Sequence, residues 1–319
     1  MSCSREKKVI FIGGTSYSGS TLLDMLLANS PSGFSCGEVY AMFHPFRKHH
    51  VDPACGCGDP QCNIWKHLKR QGPKKLYHSI FEMFPEVDCI VDSSKDPMWI
   101  RDRSNDLAGS GIAVRNVLIW KTPQEFHQSR KKRHQEHRWE SEWINYHRHY
   151  FSLVDEWISL PYAELAKSPR TLKILCERLQ IPWFEGKEAY WEKRHHTLFG
   201  NTSAKIHLYD KESKQFQQCR QELSGQDRNE EKGELDSATP YKEIYYQAPQ
   251  DDMLQDPSGH YRIMADIENI LVNSSLYSEQ SVIRIAREKA GHLRASRVYR
   301  TYRRLRQAAM SLKGAIAGF

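Results

Sequence analysis

The amino-acid sequence predicts an α/β fold: a P-loop-like parallel sheet flanked by helices, with a mostly helical C-terminal extension. Three observations carry this. Short apolar runs of strand length recur at 9–12, 87–91, 114–120 and 157–162. The first of these, Val9-Ile10-Phe11-Ile12, reads as a buried strand. Stretches with helical spacing separate them, and the first run leads through a glycine- and hydroxyl-rich turn into a helix.

That turn comprises Gly13, Gly14, Thr15, Ser16, Tyr17, Ser18, Gly19, Ser20 and Thr21. Leu22, Leu23, Met25, Leu26 and Leu27 then fall at helical spacing, with Asn29, Pro31 and Gly33 as stops. Strand, turn and helix start aim backbone N–H groups and the positive end of a helix at one point, where phosphate-type anions bind. Ser16, Ser18, Ser20 and Thr21 add hydroxyl donors. A nucleotide-hydrolysing P-loop needs Gly, four residues, then Gly-Lys-Ser/Thr. Gly14 and Gly19 fit, but Ser20 stands where that lysine belongs. The loop can hold a phosphate and lacks the lysine that serves a γ-phosphate.

Glu38 follows Cys36 and Gly37; it is either a carboxylate near a reacting group or an ordinary surface acid. Cys55, Cys57 and Cys62 lie within eight positions ahead of Trp65. Structural zinc takes four ligands, usually with two to four residues between paired cysteines. Here one gap holds a single residue, and a fourth ligand has to be His49, His50, His67 or a remote residue. A compact turn packed under Trp65 is the favoured reading. The strand at 87–91 ends in Asp92, Ser93, Ser94 and Lys95, at the carboxyl end where ligands bind in open parallel sheets.

Lys121 ends the strand at 114–120. Thr122, Pro123 and Glu125 then form a helix start, with Thr as N-cap, Pro first and Glu three after the cap. Ser129 lies about two turns on, followed by Arg130, Lys131, Lys132 and Arg133. Lys121, that helix N-terminus and Ser129 make a second phosphate pocket. The helix is expected to run to about Asp155, with His134, His137, His147 and His149 on a solvated face. Ser168 and Pro169 open a helix over 170–179, and 194–205 is a polar, basic loop.

Three regions are expected: a core over 1–208, a polar flexible linker over 209–258 and a helical basic segment over 259–319. Within the last, the stretch from Arg284 to Arg306 carries many arginines against one acid, Glu288; it is either a solvated terminal helix or one that lies on an anionic membrane surface or acidic polymer. The 319 residues suffice for a substantial core, and the net charge of +7 suits anionic ligands without indicating nucleic acid. No apolar run has the length of a signal peptide or a spanning helix. The expected location is cytoplasmic, or peripheral to the inner face of a membrane, with the eight cysteines as reduced thiols.

Over 8–205 these landmarks together resemble the PAPS-dependent sulfotransferases, in the group with bacterial carbohydrate-type members. The stretch from Gly14 to Leu23 looks like the 5′-phosphosulfate loop, and Cys36-Gly37-Glu38 like the following Gly-Glu element. The cysteine run ending at Trp65, and Val91-Asp92-Ser93-Ser94-Lys95, also recur in such proteins. The stretch from Val117 through Lys121-Thr122-Pro123 to Ser129 resembles the 3′-phosphate element. Tyr162-Ala163-Glu164-Leu165 resembles a Tyr-Glu-Asp-Leu stretch, and His195-His196 with Gly200-Asn201 a late His-His…Gly-Asn loop.

The resemblance implies sulfuryl transfer from PAPS to a hydroxyl of a carbohydrate, glycolipid or other small molecule. Gly14 to Thr21, Lys121, Ser129 and Asn201 would bind the donor, Glu38 would act as base, and no metal is expected. Two positions depart from the family pattern. Tyr17 stands where many members carry Lys or Arg, and a phenol of reference pKa about 10 supplies no cation at neutral pH. Lys121 stands where Arg is usual, which keeps the charge and loses the bidentate fork. Lys95 is expected to replace the cation absent at Tyr17. Two alternatives remain open: an ATP-dependent phosphotransferase on a degenerate P-loop, and a catalytically inactive PAPS-binding scaffold.

Overall fold

The computed structural model describes residues 6–209, 211–214, 216–218 and 260–273. Its strands are β1 (Lys8–Gly13), β2 (Gly33–Gly37), β3 (Cys89–Lys95), β4 (Ala113–Trp120) and β5 (Ile158–Pro161). They form one all-parallel sheet in the order β2-β3-β1-β4-β5. The helices are α1 (Ser20–Leu27), α2 (Tyr40–Phe43), α3 (Ile64–Gln71), α4 (Leu76–Met83), α5 (Pro97–Leu107), α6 (Pro123–Lys131), α7 (Trp139–Leu153), α8 (Tyr162–Lys167), α9 (Pro169–Leu179) and α10 (His260–Asn273).

Successive side chains of a strand point to opposite faces, and this splits the core in two. Val9 and Phe11 of β1 join Leu118 and Trp120 of β4 in one cluster, with Trp65 of α3, Trp99 of α5, Trp143 of α7 and Ile267 of α10. Ile10, Ile12, Val117 and Ile119 join the other, with Leu23 of α1 and Leu172, Leu175 and Leu179 of α9. Helices therefore cover both faces, as a parallel sheet requires. Burying each such side chain stabilises by about 1.5–3 kcal/mol.

The expected fold class is the one observed, with four differences in detail. The expected strands omit β2, the edge strand Gly-Phe-Ser-Cys-Gly, which has a single large apolar side chain. β3 starts at Cys89 and runs on through Lys95, so Asp92, Ser93 and Ser94 are strand residues. The helix expected to reach about Asp155 breaks into α6 and α7 at a turn containing His134 (φ 53°) and Arg138 (φ 60°). The Arg130–Glu142 ion pair at 2.6 Å closes this corner. His134 and His137 are exposed as expected, but His147 and His149 are buried. Burial lowers the His147 pKa to about 4, which makes it a neutral core histidine.

The capping box of α6 is present: Thr122 Oγ1 accepts from Glu125 N–H at 3.2 Å, and Thr122 N–H donates to Glu125 Oε2 at 2.9 Å. α10 begins where helical periodicity returns, and its Met264, Ile267 and Leu271 are buried. The arginine-rich stretch after residue 273, and nearly all of the linker, lie outside the described residues. Among the described residues, no helix is long and apolar enough to cross a membrane. The described cysteines Cys36, Cys55, Cys57, Cys62, Cys89 and Cys176 are unpaired.

Candidate active site

The carboxyl ends of β1, β3 and β4 lie side by side in the sheet, and each delivers polar groups to the same region. After β1, Ser18 N–H donates to Thr15 O at 3.2 Å and closes the turn that leads into α1. No side chain caps α1, and the first N–H groups of a helix have no partner within it. The hydroxyls of Thr15 and Ser18 are buried without a hydrogen-bond partner. Uncapped helix N–H groups beside buried hydroxyl donors suit an anion. Ser16, Tyr17, Gly19, Ser20 and Thr21 line a cavity of about 810 Å³ at this point.

After β4, Lys121 Nζ donates to Ser129 Oγ at 2.9 Å and lies 4.5 Å from the centre of the Tyr162 ring. Lys121 lines the same cavity. Burial lowers its pKa; Glu125 opposes this, and Arg133 and Lys132 add to it. An anion here would stabilise the charged ammonium. Lys121 and Ser129, both singled out from the sequence, are thus in contact; Lys121 lines the cavity and Ser129 lies behind it.

β3 ends at Lys95, whose Nζ donates to Glu38 Oε1 at 2.5 Å. Glu38 sits one residue beyond β2, held by its N–H to Leu198 O at 2.8 Å, while Leu198 N–H donates to Cys36 O at 3.1 Å. Gly37 makes this approach possible: its φ is +65°, and a Cβ there would run into the Leu198 carbonyl. Lys95 also has a positive φ of 65°. Its carbonyl accepts from Tyr146 Oη at 2.7 Å, and Tyr146 Oη accepts from Gly14 N–H at 2.6 Å. Tyr146 of α7 thereby joins the start of the anion loop to the end of β3.

A second cavity, of about 710 Å³, also has the Lys95–Glu38 pair in its lining, and Gly14, Thr15, Ser94 and Tyr146 contribute to it. The two cavities share Ser16, Glu38, Phe46 and Lys95. The ion pair therefore stands on a common wall.

The late loop closes the first cavity. Asn201 N–H donates to Thr21 Oγ1 at 3.0 Å, and Phe199, Gly200 and Asn201 are part of the lining. Tyr17 has its hydroxyl 3.2 Å from Gln135 Oε1, and the Arg133 guanidinium lies 4.0 Å from the centre of its ring. Arg133 also lines the cavity. A cation thus stands at Tyr17 without Tyr17 being one.

Two buried carboxylates support this floor. Asp24 accepts from Ser35 Oγ, from Ser93 Oγ at 2.7 Å and from Gly37 N–H at 3.1 Å. Burial raises its pKa to about 7 against these hydrogen bonds. Asp92 accepts from Tyr77 Oη at 2.6 Å, Trp99 Nε1 at 2.9 Å and Ser94 N–H at 2.8 Å. It is buried among these donors and lines neither cavity.

Of the residues singled out from the sequence, Ser16, Tyr17, Gly19, Ser20, Thr21, Glu38, Lys95, Lys121 and Asn201 line the first cavity. Gly14 and Thr15 line the second, and Ser18 is buried within the loop. Arg133, Tyr146, Asp24 and Lys205 were not identified as site residues. Arg133 was visible only as part of a basic run, and Tyr146 only as one aromatic in a helix. Lys205 lines the first cavity, and burial lowers its pKa while Glu38 and Asp24 counteract that.

No protein-family model and no curated protein matches the chain. Among solved structures it is similar to the sulfotransferase domain from the Synechococcus PCC 7002 olefin synthase, at 16% identity and a TM-score of 0.47, over 67% of this chain and 84% of that one. It is also similar to the sulfotransferase domain from the curacin biosynthetic pathway, at 16% identity and a TM-score of 0.43, over 69% of this chain and 99% of that one.

Proposed function

We propose that the chain is a sulfotransferase that moves the sulfuryl group of PAPS to a hydroxyl of a carbohydrate, a glycolipid or another hydroxylated small molecule. The observation that carries this reading is the Lys95–Glu38 pair on the wall common to two cavities. In this reading the first cavity takes the donor, with the Gly14–Thr21 turn, of which Ser16, Tyr17, Gly19, Ser20 and Thr21 reach the lining, as one anion subsite and Lys121, held by Ser129, as the other. They match a donor with phosphate groups at both its 5′ and 3′ ends. The second cavity is where the acceptor would bind.

In the proposed step the acceptor oxygen bonds to sulfur while the bond from sulfur to the bridging phosphate oxygen breaks. The acceptor proton passes to Glu38. Lys95 and Arg133 offset the negative charge that grows on the bridging oxygen. The products are the sulfated acceptor and adenosine 3′,5′-bisphosphate. Lys95 also holds the Glu38 carboxylate in place, so the pair acts as one unit.

An ATP-dependent phosphotransferase has less support, because Ser20 replaces the P-loop lysine and Asp92 is engaged by three donors. Calorimetry with adenosine 3′,5′-bisphosphate and with ATP tests this directly. Preference for the bisphosphate is expected, and selective binding of ATP overturns the proposal. Transfer of labelled sulfate from PAPS across a panel of glycans, glycolipids and small alcohols then separates an enzyme from an inactive scaffold.

A further inference from the structure

We propose that Cys55, Cys57, Cys62 and His196 bind a structural zinc ion that pins the late loop of the site to the cysteine loop. One ligand atom from each of the four lies within 4.8 Å of every other. His196 Nδ1 is 3.4 Å from Cys55 Sγ and 3.7 Å from Cys62 Sγ. Zinc–sulfur and zinc–nitrogen bonds of about 2.3 and 2.0–2.1 Å at tetrahedral angles place sulfur and nitrogen about 3.6 Å apart. Both measured separations fall close to that edge. Three thiolates and a neutral imidazole form a closed set with no open position, the pattern of a structural rather than a catalytic site.

The surroundings hold the imidazole in place before any ion binds. Its ring stacks on Phe34, with centroids 6.0 Å apart and an angle of 15°. The His196 carbonyl accepts from Trp65 Nε1 at 2.5 Å. Gly56 N–H donates to Thr197 O at 2.9 Å, an approach that a Cβ at Gly56 would block. Between residues 51 and 63 the chain has turns and bends but no helix or strand. A loop without a ladder of its own gains its geometry from a cross-link. The ion would tie this loop to the segment that runs on through Leu198 to Asn201, which closes the first cavity.

The test uses the full chain expressed with zinc and purified without chelator. Mass-spectrometric metal analysis should find about one zinc per chain. Exchange for cobalt(II) should give tetrahedral d–d bands with thiolate-to-cobalt charge transfer. Cys62→Ser should weaken the charge-transfer band and lower zinc affinity by more than the roughly 10–100-fold that loss of an outer-shell partner costs. Chelation should speed hydrogen exchange at the amides of 196–201. The proposal is overturned if the wild-type chain takes up neither zinc nor cobalt, if its cobalt spectrum lacks thiolate charge transfer, or if two of the three cysteines form a disulfide in protein purified anaerobically. The wild-type measurements decide the matter even if the variant fails to fold.

Discussion

Lys121→Met removes one ammonium and keeps most of the side-chain volume, so it isolates the proposed second anion subsite. In the wild type Lys121 Nζ holds Ser129 Oγ at 2.9 Å and is partly buried at the edge of the first cavity. A hydrogen bond to a charged group contributes about 1.5–3 kcal/mol net. Each 1.4 kcal/mol is tenfold in affinity, so adenosine 3′,5′-bisphosphate should bind roughly 10- to 150-fold more weakly. Adenosine 5′-monophosphate has no 3′-phosphate and should lose less than about threefold. Titration calorimetry of both nucleotides at one fixed ionic strength measures the two losses, since salt alone shifts such contacts. Because burial lowers the Lys121 pKa, bisphosphate affinity should also fall at a lower pH than an ordinary lysine near 10.4 would give, and the variant should lack that step. Equal losses for the two nucleotides, or no loss for the bisphosphate, would refute the assignment.

Glu38→Gln should lower kcat of sulfuryl transfer by about 10²–10⁴-fold with nucleotide affinity nearly unchanged, as steady-state kinetics beside calorimetry would reveal; unchanged kcat removes Glu38 as base. Gly37→Ala forces an L side chain into φ +65° against the Leu198 carbonyl and should cost about 1–3 kcal/mol in urea unfolding, with a value near zero counting against the bridge. Asp24 has its carboxyl raised from the ordinary 3.8 to about 7 by burial, so the folded state binds a proton that the unfolded state has released. Its contribution is fully present below about pH 3.8 and is lost as pH rises through about 7. Between pH 5 and 7 the wild type should therefore lose about 2–3 kcal/mol relative to Asp24→Asn, and parallel urea midpoints for the two proteins at both pH values would contradict this.

The parts of the fold legible in the sequence are those whose cause is local. Val9–Ile12 of β1 and Val117–Trp120 of β4 are continuous apolar runs because both their faces are buried, and the α6 cap is written in Thr122, Pro123 and Glu125. β2 was not legible, since what buries Ser35 and Gly37 is Asp24 and the Leu198 bridge rather than their own hydrophobicity. The break between α6 and α7 contains neither Gly nor Pro, and an ion pair across twelve positions of sequence holds it. At the site, each proposed subsite lies within one strand–turn–helix unit, so Gly14–Thr21 and Lys121–Ser129 are each legible as a local pattern. The partner of the cysteines could not, because His196 comes 134 residues after Cys62 and meets it only through the fold.

The wall shared by the two cavities also sets what competes with the acceptor. With donor and acceptor in separate cavities, the proposed transfer would be direct, with no sulfated protein intermediate. With the donor alone bound, the second cavity still leads to Glu38 and Lys95, and water is the smallest hydroxyl able to enter it. Phe46, on that wall and 53% exposed, is its one large apolar side chain. In the proposed reaction, protection of the donor from wasteful hydrolysis would then fall to the acceptor, which would have to cover the ion pair with its own bulk. A poor acceptor would be punished twice, by slow sulfation and by donor lost to water.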